Sequence, residues 1–140
     1  MNWLLDTCLL SEFVKQKPQR RVLDWVAAQP EETLFVSVLT LGEIEQGIAR
    51  LAASDPRSRR LRDWLDNRVL PRFRTRILPL DLPVLQEWGR RSGLLDQTGR
   101  PAPALDGLLA ATAHVHQLCV VTRNQADFAP WAVDCHDPWG

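Results

Sequence analysis

Asn2-Trp3-Leu4-Leu5-Asp6-Thr7 is a short apolar run that gives way to two polar residues. A run of this kind predicts a buried β-strand over residues 2–5, with Asp6 at its carboxyl end. Residues 7–15 then predict a first helix. A buried strand that leads through a polar residue into a helix is the unit from which parallel α/β sheets are built, so this stretch indicates the fold class.

The same alternation continues along the rest of the chain. β-Branched and apolar runs predict strands at residues 33–38, 77–80 and 118–122, with a last short strand in the tail. Apolar spacings of three and four predict helices around residues 22–26 and at 40–51, 57–69, 82–95 and 105–116. We therefore expect a single domain over residues 1–140, with a three-layer α/β/α fold around a parallel sheet of about four to five short strands.

The composition is that of an ordinary globular protein without net charge. Lys and Arg total 17, as do Asp and Glu, so no global basic field attracts nucleic acid, and such a substrate must be held locally. Three cysteines do not suggest a disulfide framework. The N-terminus lacks the basic segment of a signal peptide, and no apolar run reaches the length of a membrane span, so we expect a cytoplasmic protein without a membrane role.

Three carboxylates are the candidate functional groups, although each has a structural explanation of its own. Asp6 can simply cap the helix that follows it. Glu43 lies on the helix predicted at residues 40–51, but Glu45 is slightly nearer to the apolar stripe of that helix. Periodicity therefore does not choose between the two glutamates, and either can be a solvated surface residue.

Asp106 stands near the start of the helix predicted at residues 105–116, where a carboxylate can act through the helix dipole alone. Ala110 and Ala113 follow it four and seven positions later. Small side chains below a carboxylate fit the wall of a cleft, and they fit close helix packing equally well.

Convergence of the three acids at one edge of the sheet would indicate a catalytic site. Ligands of parallel sheets bind at the carboxyl ends of the strands. Asp6, Glu43 and Asp106 would repel one another strongly there without a cation. Hard oxygen ligands suit Mg²⁺ or Mn²⁺, ions that bind substrate phosphates, and the chemistry that uses such a site is phosphodiester hydrolysis.

Four motifs follow one another along the chain, namely Leu4-Leu5-Asp6-Thr7, Thr40-Leu41-Gly42-Glu43-Ile44-Glu45-Gln46-Gly47, Asp106-Gly107-Leu108-Leu109-Ala110-Ala111-Thr112-Ala113 and Val121-Thr122-Arg123-Asn124. Their order and spacing resemble the PIN-domain toxins of bacterial type II toxin–antitoxin pairs, the VapC family, and most closely its FitB-like branch. Three shorter motifs fit the same branch: Leu10-Ser11-Glu12, Ile77-Leu78-Pro79 and Asp137-Pro138-Trp139. Each motif alone is weak, but the ordered set spans nearly the whole chain.

The resemblance implies which residues form the metal site. Carried over position by position, Asp6, Glu43 and Asp106 are the acidic ligands of Mg²⁺, with Mn²⁺ as an alternative ion. The family's fourth position, often Asp, falls on Asn124, which adds no charge, so we expect one firmly bound metal. Asp127 is either a substitute fourth acid or a surface residue of a short helix.

The residues around these acids are also implied by the resemblance. Thr7 and Thr122 are expected to hydrogen-bond the carboxylates and waters of the site. The residue after Asp-Thr is commonly Asn in this family and is Cys8 here, and a thiol is a much poorer hydrogen-bonding partner.

The function that the resemblance implies is a Mg²⁺-dependent endoribonuclease, a toxin neutralised by a cognate antitoxin whose tail plugs the acidic cleft. It also implies a homodimer or a larger complex with the antitoxin, and binding of promoter DNA only through the antitoxin. Two alternatives stay open. One is a catalytically silent PIN-like module that binds RNA or a partner, which Asn124 and Cys8 make credible, and the other is a metal-dependent phosphatase or nuclease acting on DNA.

Further features allow two interpretations each. The eight arginines between residues 57 and 76 could follow an RNA backbone or form a solvated, salt-bridged helix face. His114 and His116 point to nearly opposite sides of a helix, which argues against a zinc site. Three tryptophans have core spacing and three could stack on bases or form a subunit interface: Trp25, Trp64 and Trp88, and Trp3, Trp131 and Trp139, respectively.

Overall fold

A five-stranded, all-parallel sheet forms the centre of the molecule. The computed structural model describes residues 1–140, and the strands are β1 (Trp3–Leu5), β2 (Leu34–Ser37), β3 (Ile77–Leu78), β4 (Cys119–Val121) and β5 (Cys135–His136). Their order across the sheet is β3-β2-β1-β4-β5, so the first strand of the chain lies in the middle. Leu4 of β1 pairs with Phe35 on one side and with Val120 on the other.

Eight α-helices surround the sheet. They are α1 (Thr7–Glu12), α2 (Arg20–Ala28), α3 (Val38–Ala49), α4 (Pro56–Trp64), α5 (Leu70–Phe73), α6 (Leu82–Gln97), α7 (Ala104–His116) and α8 (Gln125–Phe128). Short 3₁₀ turns cover Glu31–Thr33 and Ala129–Trp131, and a π-helical turn, Leu65–Val69, joins α4 to α5. None of the helices is both long and apolar enough to cross a membrane.

Each face of the sheet carries its own hydrophobic core. Leu5 of β1 packs with residues of α1, α2, α3 and α5, whereas its neighbour Leu4 points to the other face and packs against α7 and α8. Ala110 and Ala113 of α7 are fully buried in this second core, so close helix packing accounts for their small size. Helices on both faces of a parallel sheet confirm the predicted three-layer α/β/α fold.

The strand predicted at residues 33–38 is shorter than expected, because Ser37 ends it. The Ser37 hydroxyl accepts the backbone N–H of Leu39 at 3.0 Å and caps α3. Val38 therefore begins a helix although its β-branched side chain favours a strand, since the cap fixes the helix start more strongly than the propensity of one residue.

The helix predicted at residues 57–69 is divided into α4 and the π-helical turn, and the helical path continues beyond the predicted end as α5. Pro71 gives a physical reason for the interruption. It has no N–H to donate to the carbonyl four residues earlier, and its ring crowds that carbonyl, so the backbone widens in the preceding turn.

Trp131 is buried in the second core, and the interpretation of this residue as a base-stacking or interface residue is wrong. A Cβ atom on Gly107 of α7 would lie 2.4 Å from the Trp131 ring, so the absent side chain of that glycine makes room for the indole. Trp3 and Trp139 are partly buried and pack against the first core. The other three tryptophans also pack against the cores, as predicted: Trp25, Trp64 and Trp88.

Candidate active site

The sheet has a topological switch point between β1 and β4. From β1 the chain continues to β2 and β3 on one side of the sheet, and it later returns to place β4 and β5 on the other side. The segments that follow β1 and β4 therefore diverge and leave a crevice at the carboxyl edge, where open α/β sheets bind ligands. Asp6 directly follows β1, and Thr122 directly follows β4.

A cavity of about 390 Å³ opens at this edge, and we call it the acidic cleft. Its lining includes all seven residues that the sequence singles out as a candidate site: Asp6, Thr7, Glu43, Asp106, Thr122, Asn124 and Asp127. Five other residues complete the lining: Cys8, Ser11, Lys15, Leu109 and Phe128. The fold thus brings together candidate residues from both ends of the chain.

Asp6 is fixed at the start of α1 by hydrogen bonds. Its backbone is extended, and its Oδ1 accepts the backbone N–H of Leu9 at 2.9 Å, which is the geometry of a helix cap. Burial raises the pKa of the Asp6 carboxyl above its ordinary value, although hydrogen bonds from Cys8, Thr122 and Leu9 act in the opposite direction. Asp6 therefore does cap α1, and the capping hydrogen bond holds its buried carboxylate at the wall of the acidic cleft.

Cys8 is the closest side-chain partner of that carboxylate. Its Sγ lies 3.0 Å from both Oδ1 and Oδ2 of Asp6. Burial and the adjacent Asp6 charge raise the pKa of Cys8 to about 12, so the thiol keeps its proton at neutral pH. A thiol is a weak donor, yet this one contacts both carboxylate oxygens.

Glu43 and Glu45 of α3 have different surroundings. The Oε1 atom of Glu43 accepts a hydrogen bond from the Thr7 hydroxyl at 2.7 Å, and the side chain lines the acidic cleft. Glu45 is exposed on another side of the helix and pairs with Arg62 at 2.5 Å. Tertiary contacts thus distinguish the two glutamates that helical periodicity left open.

Asp106 is half-buried in the first turn of α7. Burial raises the pKa of its carboxyl, and the negative charges of Asp127, Glu43 and Asp6 raise it further. The four acids therefore lie within electrostatic range of one another, and their repulsion favours the uptake of positive charge.

The segment after β4 supplies the remaining polar groups. Thr122 is fully buried, and its hydroxyl accepts the backbone N–H of Asn124 at 3.0 Å. Asn124 precedes α8 and makes no capping hydrogen bond with its side chain, so its amide is available to the cleft. Asp127 is exposed on α8 but lines the cleft, a position that favours a role at the site over one elsewhere on the surface.

The acids suit a metal ion by their chemistry more than by their exact spacing. No three His, Cys, Asp or Glu side chains form a ready-made metal-binding group. The donor set nevertheless fits Mg²⁺ or Mn²⁺, because the carboxylates offer only hard oxygen atoms. A divalent cation would also relieve the repulsion that raises the pKa of Asp106.

Ser11 and Lys15 line the acidic cleft, although the sequence pattern did not single them out as site residues. Part of the signal was present, because Thr7 and Ser11 are four residues apart and share one face of α1. Helical spacing does not extend to Lys15, since α1 ends at Glu12 and the position of Lys15 depends on the turn that follows.

The arginines between residues 57 and 76 are divided between ion pairs and open positions. Four of them pair with carboxylates: Arg57 with Asp55, Arg62 with Glu45 and Asp66, and both Arg72 and Arg76 with Glu31. The other four, Arg59, Arg60, Arg68 and Arg74, form no salt bridge. The predicted salt-bridged helix face is therefore present for half of this group. None of the eight arginines lines the acidic cleft.

Two of the three histidines, His114 and His136, make structural contacts away from the acidic cleft. The Nε2 atom of His114 lies 3.0 Å from the carbonyl oxygen of Trp131, at hydrogen-bonding distance. The His136 ring packs against Trp3 and Trp25, with centroid distances of 5.6 and 4.9 Å.

Comparison with known proteins places this geometry in a family. The PIN domain family matches residues 3–129. The chain belongs to the PIN-domain family. This PIN domain is 35% identical over 136 residues to VapC ribonuclease Y4jK of Sinorhizobium fredii. The matched residues cover 97% of the chain and 96% of that relative. It is 34% identical over 136 residues to Toxin FitB of Neisseria gonorrhoeae, with 97% of both proteins covered.

Solved structures share the fold of this PIN domain. The crystal structure of FitAcB from Neisseria gonorrhoeae has a TM-score of 0.89 at 34% identity and covers 98% of both chains. The structure of FitAB bound to an IR36 DNA fragment has a TM-score of 0.89 at 32% identity, with 99% and 96% covered. VapBC2 from Rickettsia felis, bound to a fragment of its promoter, shares the fold with a TM-score of 0.80 at 18% identity, with 98% of both chains covered. The family resemblance seen in the sequence is confirmed.

Proposed function

We propose that this PIN domain, a single domain over residues 1–140, is a Mg²⁺-dependent endoribonuclease and the toxin of a type II toxin–antitoxin pair. The observation that carries the proposal is the group of four carboxylates at the switch point of the sheet. The relatives support the choice of reaction, because one is a VapC ribonuclease and another is the toxin FitB.

In this proposal Asp6, Glu43 and Asp106 hold the metal ion. The bound ion would lower the pKa of an attacking water and stabilise negative charge on the phosphate. Asn124 contributes an amide that can hydrogen-bond to a phosphate oxygen or a water, and Asp127 contributes additional negative charge.

The surrounding hydrogen bonds keep these ligands in place. The Thr7 hydroxyl orients Glu43 by donating to its Oε1 atom. The Cys8 thiol and the Leu9 backbone N–H orient Asp6. Such supporting contacts matter because loss of one commonly reduces metal affinity or activity about 10- to 100-fold.

The proposed partners follow from the relatives. The FitAB structure contains DNA, and VapBC2 is bound to a fragment of its promoter. Together with the family resemblance, these structures support our proposal that this chain has a cognate antitoxin, forms a homodimer or a larger complex with it, and contacts promoter DNA through the antitoxin. The proposed location is the cytoplasm, where three unpaired cysteines stay reduced.

The experiment that tests this function compares two glutamates of one helix. Glu43→Gln is expected to reduce Mg²⁺-dependent cleavage of single-stranded RNA more than about 100-fold, because it removes a metal ligand. Glu45→Gln alters an exposed residue of α3 outside the acidic cleft and should cleave at the unsubstituted rate. The measurement is kcat/KM on a labelled RNA with Mg²⁺ and with a chelator.

Three results would contradict the proposal. Equal cleavage by Glu43→Gln and the unsubstituted protein would remove the assigned site. Absence of RNA cleavage with either Mg²⁺ or Mn²⁺ would favour the catalytically silent module. Faster cleavage of single-stranded DNA or of a small phosphate ester than of RNA, in parallel assays, would change the substrate class.

A further inference from the structure

The acidic cleft contains one positively charged side chain among its lining residues, Lys15. The same lining carries four carboxylates, so an incoming strand of phosphates meets a surface of its own charge. A phosphate next to the reacting one needs a cationic partner to stay bound there, because charge-assisted hydrogen bonds are the strong ones.

Lys15 forms an ion pair with the buried carboxylate of Glu12. Its Nζ lies 2.9 Å from the Oε1 atom of Glu12, whose side chain is fully buried. The same carboxylate accepts the backbone N–H of Gln19 at 2.8 Å and the indole N–H of Trp139 at 3.2 Å. Burial acts to raise the pKa of Glu12, but these hydrogen bonds and the Lys15 charge lower it, so Glu12 is ionised at neutral pH.

The ammonium group of Lys15 keeps donors free for a ligand. An ammonium has three N–H groups, and Glu12 accepts one of them. The Lys15 side chain is 49% exposed, in contrast to the buried carboxylate that holds it. The Lys15 ammonium is therefore held by Glu12 and still has N–H groups that can donate into the acidic cleft.

We propose that Lys15 binds a backbone phosphate of the RNA next to the cleaved bond, and that Glu12 is a positioning residue that aims it. This inference rests on the proposed ribonuclease function. Trp139 takes part through its indole N–H, which fixes one oxygen of Glu12. The C-terminal residues thereby contribute to the placement of the substrate strand.

The test compares Lys15→Gln with Lys17→Gln. Lys17 is exposed two residues further along, does not line the acidic cleft and is the matched control. Lys15→Gln is expected to raise KM for RNA roughly tenfold with little change in kcat, since it removes one charged hydrogen bond. Lys17→Gln should have the KM of the unsubstituted protein. Lys15→Arg, which keeps the positive charge, should have a KM close to that value.

Salt dependence separates binding by Lys15 from a purely structural role. For single strands, the slope of log Kd against log salt concentration falls by about 0.7 for each lost phosphate contact. Lys15→Gln should show this decrease when short RNA is titrated in a chelator, which prevents cleavage. Glu12→Gln keeps the Lys15 charge but loosens its position, so it should raise KM while the slope stays unchanged.

The outcomes distinguish this inference from the proposed function. If the unsubstituted protein cleaves RNA and Lys15→Gln has the same KM and the same salt slope as Lys17→Gln, the assignment of Lys15 is wrong and the ribonuclease function stands. If no variant cleaves RNA, the proposed function fails, and an unchanged salt slope would then overturn the Lys15 assignment separately. Thermal unfolding of each variant controls for loss of structure.

Discussion

Glu12 is a fully buried carboxylate that connects three parts of the chain. It closes the end of α1, fixes the following turn through the Gln19 backbone N–H, and holds the indole of Trp139. Buried charges are costly unless they are paired and hydrogen-bonded, and each Glu12 oxygen has a donor. The residue therefore stabilises the fold independently of any role in substrate binding.

Glu12→Gln is expected to lower the free energy of unfolding at pH 7 by about 2 kcal/mol, because hydrogen bonds to a charged group are lost. The hydrogen bonds hold the pKa of Glu12 below its ordinary value of 4.5. Its stabilisation is therefore complete above about pH 4.5 and is lost as the pH falls through the lower folded-state pKa. Urea unfolding at several pH values measures the difference between the two proteins, which should shrink in acid. A difference that grows in acid would contradict the expectation.

At the scale of helices, the contact between Gly107 and Trp131 joins α7 to the end of the chain. Gly107→Ala is expected to destabilise the fold by about 1–3 kcal/mol, because the added methyl group would overlap the buried indole. The midpoint of urea unfolding measures this effect. The total tryptophan fluorescence should change at the same time, since the Trp131 ring must move.

Gly93→Ala of α6 is the control for that substitution. Gly93 is exposed, and a Cβ atom there meets nothing within 4 Å. Alanine should stabilise this helix interior by about 0.5–1 kcal/mol through its better helix propensity. Equal effects of the two substitutions would indicate that backbone entropy, rather than contact with Trp131, determines the result.

Helices and strands were predictable from local patterns where one interaction decides them, and less so where distant residues do. The buried strand before Asp6 is visible in residues 2–5, and the helix that follows it in residues 7–15. The end of β2 depends on the Ser37 cap, which β-branched composition does not reveal, and the interruption after α4 depends on Pro71, which apolar periodicity does not reveal. The choice of Glu43 over Glu45 depends on Thr7 and Arg62, which are far away in sequence, and no helical angle contains that information.

For the molecule as a whole, the acidic cleft is a region where function and stability oppose each other. In a chelator, Asp106→Asn is expected to raise the unfolding temperature and to increase the free energy of unfolding by on the order of 1 kcal/mol, because it removes a charge disfavoured by burial and by three neighbouring acids. Saturating Mg²⁺ should stabilise the unsubstituted protein by about 2.7 kcal/mol at a hundred times its Kd. The same variant should lose most of this gain.

Asp96→Asn provides the comparison for Asp106→Asn. Asp96 is exposed on α6 and lies outside the acidic cleft, so its substitution should leave both the unfolding temperature in a chelator and the response to Mg²⁺ unchanged. Thermal unfolding over a Mg²⁺ titration measures both quantities. An undiminished Mg²⁺ response in Asp106→Asn would mean that the ion binds elsewhere.

The central position of β1 also bears on when the protein can become active during its synthesis. Of the five strands, β1 is synthesised first, but one of its two neighbours in the sheet, β4, is complete only at residue 121, and Asp106 is made about a hundred residues after Asp6. A nascent or prematurely terminated chain lacks the second wall of the acidic cleft however well its first half folds. Under the proposed function, nuclease activity would arise only after synthesis has passed the segment that follows β4, and an inhibitor could accumulate during that time.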